Sequence, residues 1–319
     1  MKIFVTGASG FVGSAATAAL MAAGHEVSAM SRSPKSDALI RGLGAQPVRC
    51  DLETISSGDI GDAQTVLHCA AFVGDWGPKD AWYKSNVLGT QKMLDVAKSA
   101  GVKRFIHIGT EAAICHGQNI QNADENMPLS PNSPYPYCAT KAQAEQRVRA
   151  ANDESFETLI LRPRFIWGPG DTTILPLIEE MAGAGKWMWV NRGSAMTSTT
   201  HIANLVHAIE LSLAKGGGGE AYFILDEGTM SMKDMITAMA KSRGLTLPDK
   251  SIPKWLAAFL GRTFESIWRA LKLKSEPPLT RHAAMMMSCD CTLNGGKAAG
   301  ELAYSPVISR NQGLAALKI

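Results

Sequence analysis

The sequence lacks any run of roughly 18 to 20 consecutive apolar residues, the length an α-helix needs to span a bilayer. It also lacks a dominant charge: 32 basic residues stand against 29 acidic ones, a formal +3. An excess so small and dispersed does not make nucleic acid a partner. None of the six cysteines, Cys50, Cys69, Cys115, Cys138, Cys289 and Cys291, forms a C-x-x-C pair, and Cys289-Asp290-Cys291 is a poor spacing for zinc. Lys2 before an apolar run imitates a secretion signal, but Gly7, Gly10 and Gly13 interrupt that run at regular spacing. The expectation is a cytoplasmic protein with six reduced thiols. His68, His107 and His201 have no ligand-like spacing, so no metal is expected. There is no internal repeat. At 319 residues, 45% hydrophobic and 19% charged, the chain suits one large domain or two closely joined ones.

What is present is alternation. Nearly continuous apolar, β-branched runs occur at residues 2–6, 26–30, 46–50, 65–69, 104–109 and 158–162, with helical patterns at 11–23, 88–100 and 137–151. Strands covered on both faces and separated by helices predict a parallel sheet with right-handed crossovers. From about Phe165 the pattern changes. Trp167, Trp187 and Trp189 appear, then a helix near 202–214, a glycine turn at 216–219, a strand-like segment at 221–225, and helical patterns at 231–243 and 253–273.

The first strand runs into Gly7-Ala8-Ser9-Gly10-Phe11-Val12-Gly13, which opens a helix. The leading glycines let the backbone turn tightly toward a pyrophosphate, the last lets helix pack on strand, and the anion sits at the helix N-terminus. Gly7, Ser9, Gly10, Phe11, Val12 and Gly13 are therefore candidate cofactor residues. A carboxylate at the end of the second strand, roughly 20 residues on, marks NAD sites. Here that strand ends in Ser31-Arg32-Ser33. Arg32 is placed to grip a 2′-phosphate, with hydroxyls of Ser31 and Ser33 assisting, so NADP(H) is expected over NAD(H). Asp51-Leu52, after the third strand, is positioned to face the adenine. The expected fold class is α/β, a doubly wound parallel sheet (Rossmann fold) over residues 1–165 with a return segment near 200–228. Residues 166–319 then form a smaller, mainly substrate-binding domain.

Tyr137 and Lys141 form Y-x-x-x-K. On a helix, i and i+4 share a face, and a nearby ammonium favours tyrosinate, making the phenol a usable acid/base. Alone the spacing is common. Here it follows both the glycine cradle and a strand whose end carries Thr110.

With these motifs in this order the chain resembles an extended short-chain dehydrogenase/reductase of the NAD(P)-dependent epimerase/dehydratase superfamily. The resemblance rests on Thr6 through Gly13, Asp51-Leu52, His68-Cys69-Ala70-Ala71, Asn86-Val87-Leu88-Gly89-Thr90, Tyr137 through Lys141, and Arg162-Pro163 through Gly168-Pro169-Gly170. It implies Thr110 as the catalytic hydroxyl, Tyr137 as acid/base and Lys141 as partner of the nicotinamide ribose. Ala70, Ala71, Asn86 and Pro163 would lie around the cofactor, Asn86 pinning a helix start. Where similar dehydratases carry Thr-Asp-Glu, this chain reads Thr110-Glu111-Ala112, one carboxylate short. Phe72 through Pro78, Thr199 through Asn204, and Pro277 through Arg281 resemble the 3β-hydroxysteroid dehydrogenase-like branch. That branch implies carbonyl–alcohol interconversion on an apolar, steroid-like or 3-keto acid-like substrate. A greasy pocket around Trp187-Met188-Trp189-Val190 would suit one, although those aromatics equally suit a core. The alternatives are a sugar-nucleotide epimerase and a non-catalytic NADP(H)-sensing regulator. Helices 88–100 and 137–151 pair subunits in similar proteins, implying a homodimer. Residues 253–273 read as a basic amphipathic helix, of a kind that can lie on a membrane surface but here is expected to pack over the pocket.

Overall fold

The computed structural model describes residues 1–78 and 80–317. Seven strands, β1 (Lys2–Thr6), β2 (Glu26–Ser31), β3 (Gln46–Arg49), β4 (Thr65–His68), β5 (Arg104–Ile108), β6 (Glu157–Pro163) and β7 (Glu220–Ile224), form one sheet. Every neighbouring pair is parallel, in the order β7-β6-β5-β4-β1-β2-β3. The order reverses between β1 and β4, which opens the crevice where doubly wound sheets bind ligands. β7 comes from far along the chain and completes the edge beyond β6.

Strand periodicity splits the core into two layers. Ile3, Val5, Leu67 and Ile106 point to one face, packing with Ala16 and Leu20 of α1 (Phe11–Ala22) and with Leu205 and Ile209. Phe4, Val66 and Phe105 point to the other, against Met93 and Leu94 of α2 (Gly89–Ser99) and Val148 of α3 (Pro136–Ala151). Helix Pro34–Gly42, which the sequence pattern did not show, fills the β2–β3 crossover.

The rest of the chain is stitched from short pieces. A four-stranded sheet runs Met230–Ser231, Met196–Thr197, Cys291–Leu293, Ile120–Ala123, and so joins the middle of the chain to its end. Asp226 is buried and ties this region together. It accepts hydrogen bonds from Trp167 Nε1 (2.8 Å), Thr199 Oγ1 (2.6 Å), His201 N (2.7 Å) and Asn204 Nδ2 (2.7 Å). Trp187 and Trp189 do not make a greasy pocket. They meet edge to face at 5.3 Å and are buried with Leu175, Ile178 and Met235 as core, because two large rings gain more from full burial than from lining a cleft. Among the described residues no helix is long and apolar enough to cross a membrane.

Candidate active site

A cavity of about 760 Å³ opens along the C-terminal ends of the strands. Its floor is the glycine turn. Gly7 has φ +71°, and a Cβ there would lie 2.8 Å from the Ala70 amide nitrogen; a Cβ at Gly13 would lie 2.6 Å from the Gly7 carbonyl carbon. Side chains are thus excluded where backbone meets backbone. Gly10, the N-cap of α1, has no side chain to satisfy the first-turn amides, which leaves them for an anion. A buried relay braces the turn: Thr6 Oγ1 lies 2.8 Å from His68 Nδ1, His68 Nε2 lies 3.1 Å from Thr90 Oγ1, and the Ala70 amide donates to Thr6 Oγ1. Burial drives the His68 pKa down to about 3, so its ring is neutral.

Gly7, Ser9, Gly10, Phe11, Val12 and Gly13 all line this cavity. At its outer end stand Arg32, Asp51 and Leu52, and along one side Ala70 and Ala71. Arg32 is exposed. Ser31 and Ser33 lie off the cavity wall. The Ser31 hydroxyl donates to the Ser33 carbonyl, and the Ser33 hydroxyl caps helix Pro34–Gly42 by accepting from the Ser36 amide. Ser36 takes their place in the lining. Asp51 Oδ1 closes its own turn, accepting from the amides of Glu53 (2.9 Å) and Thr54 (2.8 Å), which holds its carboxyl below the usual range. Asn86 is also off the wall. It clamps the loop after β4, accepting from Phe72 N (2.7 Å) and donating to Phe72 O (3.1 Å), and it reaches Thr140 on α3 (3.3 Å).

Thr110, Tyr137, Lys141 and Pro163 meet in the inner part of the cavity. Lys141 is buried; its Nζ donates to the Ile108 carbonyl (2.8 Å) and lies 3.4 Å from His107 Nε2. Burial, opposed by the charges of Glu145 and Cys69, lowers its pKa to about 8. Tyr137 differs from the expectation of a lowered phenol pKa. Burial first, then the Glu111 carboxylate, pushes it up, while its neighbour Thr110 pulls it back. Glu111, the second of these causes, is itself a buried carboxylate. Its Oε1 accepts from Arg164 Nη1 at 2.5 Å and its Oε2 from Thr110 Oγ1 at 2.7 Å. Arg164 is itself buried and donates from Nε to Thr197 Oγ1. The next residue, Phe165, is forced to φ +44° and its side chain enters the cavity wall.

His282 and Met286, from helix Arg281–Met286, close the cavity beside Tyr137. No spacing signal announced them. The His282 ring centre lies 5.9 Å from that of Tyr137, and its Nδ1 is 2.6 Å from Asp75 Oδ1. Burial opposes its charge, yet Asp75, with Cys115 and Glu111, holds its pKa above the ordinary imidazole value. Cys138, next to Tyr137 in sequence, is buried and does not line the cavity; its Sγ is 3.6 Å from His282 Nε2.

Residues 3–224 match the model of the NAD dependent epimerase/dehydratase family. Over its whole length the chain is 37% identical to a 4-hydroxy-2-methyl-3-oxo-4-farnesyl-3,4-dihydroquinoline-1-oxide ketoreductase of Stigmatella aurantiaca, covering 96% of that protein. It is 35% identical to a 2-alkyl-3-oxoalkanoate reductase of Stenotrophomonas maltophilia, over 100% of this chain and 98% of the relative. The fold is also that of a UDP-glucuronic acid 4-epimerase from Bacillus cereus solved with NAD, at TM-score 0.75 and 23% identity over 99% and 97% of the two chains. Sequence, fold and the shape of the cradle agree: the chain belongs to the NAD dependent epimerase/dehydratase family and is an NAD(P)-dependent dehydrogenase/reductase of the extended short-chain type.

Proposed function

We propose that the chain interconverts a ketone and a secondary alcohol on an apolar substrate, steroid-like or 3-keto acid-like, with NADP(H) preferred over NAD(H). The observation that carries this reading is the single cavity wall shared by the glycine cradle and by Thr110, Tyr137 and Lys141. Gly7, Gly10 and Gly13 would hold the pyrophosphate on the α1 amides, Arg32 a 2′-phosphate, Asp51 and Leu52 the adenine end, and Lys141 and Pro163 the nicotinamide end. When bound, the cofactor supplies or accepts the hydride.

The chain's own groups handle the oxygen. Thr110 turns its hydroxyl proton from Glu111 to the carbonyl oxygen and so fixes its orientation. Tyr137 passes its phenolic proton to the oxygen as charge develops there, and takes a proton back from solvent. Its raised pKa keeps that proton in place until it is needed. Lys141, held by Ile108 and His107, stabilises the tyrosinate that results. Glu111 is paired with the buried Arg164, so it is not a free second base of the kind elimination requires. Both named relatives are reductases of oxo compounds carrying alkyl or farnesyl groups, which favours ketone chemistry over epimerisation. Residues 1–165 with the return near 200–228 are taken as the cofactor-holding part, and 166–319 as mainly substrate-holding. A homodimer through α2 and α3 is part of the same reading; Tyr83 and Leu88 are 42% and 47% exposed at the start of that face.

The test is cofactor oxidation by purified protein with 3-ketosteroids, long-chain 3-keto acids and small aromatic ketones, NADPH and NADH in parallel. Tyr137→Phe should cut turnover by about 10² or more with NADPH affinity retained. Arg32→Ala should weaken NADPH by about tenfold and leave NADH unchanged. Full activity of the Tyr137 variant would sink the mechanism, and equal cofactor constants in the wild type would sink the NADP assignment.

A further inference from the structure

Helix Lys254–Ala270 is fixed by one face to the segment that closes the cavity. A Cβ at Gly261 would lie 2.9 Å from the Thr280 carbonyl oxygen. Glu265 accepts from the Arg281 amide (2.7 Å) and from Arg281 Nε (2.8 Å). Arg281 begins the short helix that brings His282 and Met286 to the cavity. At the other end the Arg269 guanidinium lies 4.3 Å over the Trp76 ring. Trp76 belongs to the same loop as Val73, which is 65% exposed and lines the cavity mouth.

The opposite face would be polar if it met only water. Instead Trp255 is 70% exposed and Phe259 61%, while Ile267 (41%) and, just past the helix end, Leu271 (65%) are exposed on its flank. Trp255, Phe259, Arg262 and Ser266 fall at i, i+4, i+7 and i+11, one outward stripe. Of the cations in this stretch Lys254 donates to Cys289 Sγ and Arg269 stacks on Trp76, which leaves Arg262, Lys272 and Lys274 to the outside. Against them stand only Glu265, already bound to Arg281, and Glu276.

We propose that this face docks on the surface of an anionic phospholipid bilayer, without crossing it. Its aromatic and aliphatic side chains enter the acyl boundary while Lys and Arg meet the phosphates. The charge pattern selects this occupant over a second copy. Across a two-fold axis at its centre Arg262 would confront its own equivalent, whereas anionic headgroups complement Arg262, Lys272 and Lys274 together. Docking there brings the Val73 loop, and with it the cavity mouth, down beside the bilayer, where an apolar substrate concentrates. Only that consequence rests on the proposed function; the docking does not.

The experiment is flotation of the full-length protein with vesicles of phosphatidylglycerol and phosphatidylcholine, against vesicles of phosphatidylcholine alone, at low and high salt. The expected result is binding to the anionic vesicles that falls with salt. The triple variant Trp255→Ala, Phe259→Ala, Ile267→Ala should lose about tenfold or more of it, at unchanged melting temperature and unchanged turnover of a water-soluble ketone. Absence of wild-type binding to anionic vesicles at low salt would overturn the proposal. So would equal binding to neutral vesicles, or equal binding by the triple variant. If the variant instead alters the mass in light scattering, a second copy covers the face and the lipid assignment falls. Vesicle binding requires no substrate, so its failure is separable from any failure of the ketoreductase reading.

Discussion

The seven-stranded sheet with its helices and the C-terminal assembly around helix Lys254–Ala270 supply opposite walls of one cavity, but they are built differently. In the sheet, each functional group sits where a local rule puts it: a glycine turn at the end of β1, a hydroxyl just past the end of β5, a phenol and an ammonium one helical turn apart on α3. In the C-terminal assembly, His282 reaches the cavity because Asp75, 207 residues earlier, holds its ring. Short-range geometry organises the first wall. Long-range pairing of polar and charged side chains organises the second.

The sharpest way to break this contrast is one glycine from each side. Gly13→Ala forces a Cβ into the Gly7 backbone, and Gly261→Ala forces one against Thr280 and Arg281. The first should weaken NADPH binding by about a hundredfold, since overpacked backbone must shift. The second should leave NADPH affinity intact while raising the KM for the ketone and lowering the melting temperature. Fluorescence titration with NADPH separates the two. A loss of cofactor affinity in Gly261→Ala would show the walls are not independent.

A smaller effect concerns the cost of the buried ammonium. The pKa of Lys141 falls from 10.5 to about 8 on folding, so between these values the unfolded chain binds more protons and stability rises with pH. Below about pH 8 the folded protein carries a charge it would rather shed, a cost of up to about 3 kcal/mol. Lys141→Met should therefore abolish turnover yet raise the melting temperature near pH 7, with the gain fading toward pH 10. Thermal melts across that range decide it; a variant less stable at pH 7 would mean that the bond to Ile108 outweighs desolvation.

The smallest effect sits in the second wall. The pKa of His282 is raised by its partner, so that pair contributes stability below the unfolded imidazole value and loses it as pH rises through the folded one. Asp75→Asn should cost no more than ~1 kcal/mol near pH 6, because Asp75 is 39% exposed, and nothing at pH 9. An equal penalty at both values in chemical denaturation would show the pair works through shape rather than charge.

The legibility of the molecule follows the same division. Each main-sheet strand falls within a residue or two of its expected bounds, and so do helices 11–23, 88–100, 137–151, 202–214 and 231–243, because alternating and 3.6-residue patterns are written in consecutive residues. Helices Ile174–Gly183 and Arg281–Met286 and the small sheet were not visible, being too short to carry a period and stable only through distant partners. Glu111 was legible as a carboxylate after Thr110. That Arg164 would seize it, and that burial together with its charge would raise rather than lower the Tyr137 pKa, was not.

What the sequence by itself determined is the family, the parallel sheet, and that the turn glycines share one cavity wall with Thr110, Tyr137 and Lys141. Each rests on backbone conformation or helical spacing, which the chain encodes locally. Only the tertiary structure decided which hydroxyls near Arg32 are already engaged, that Trp187 and Trp189 form core, that His282 and Met286 close the cavity, and which face of helix Lys254–Ala270 is left to the outside. Those outcomes depend on which distant side chains meet in a low-dielectric interior, where burial and pairing energies exceed anything a residue's own neighbours supply.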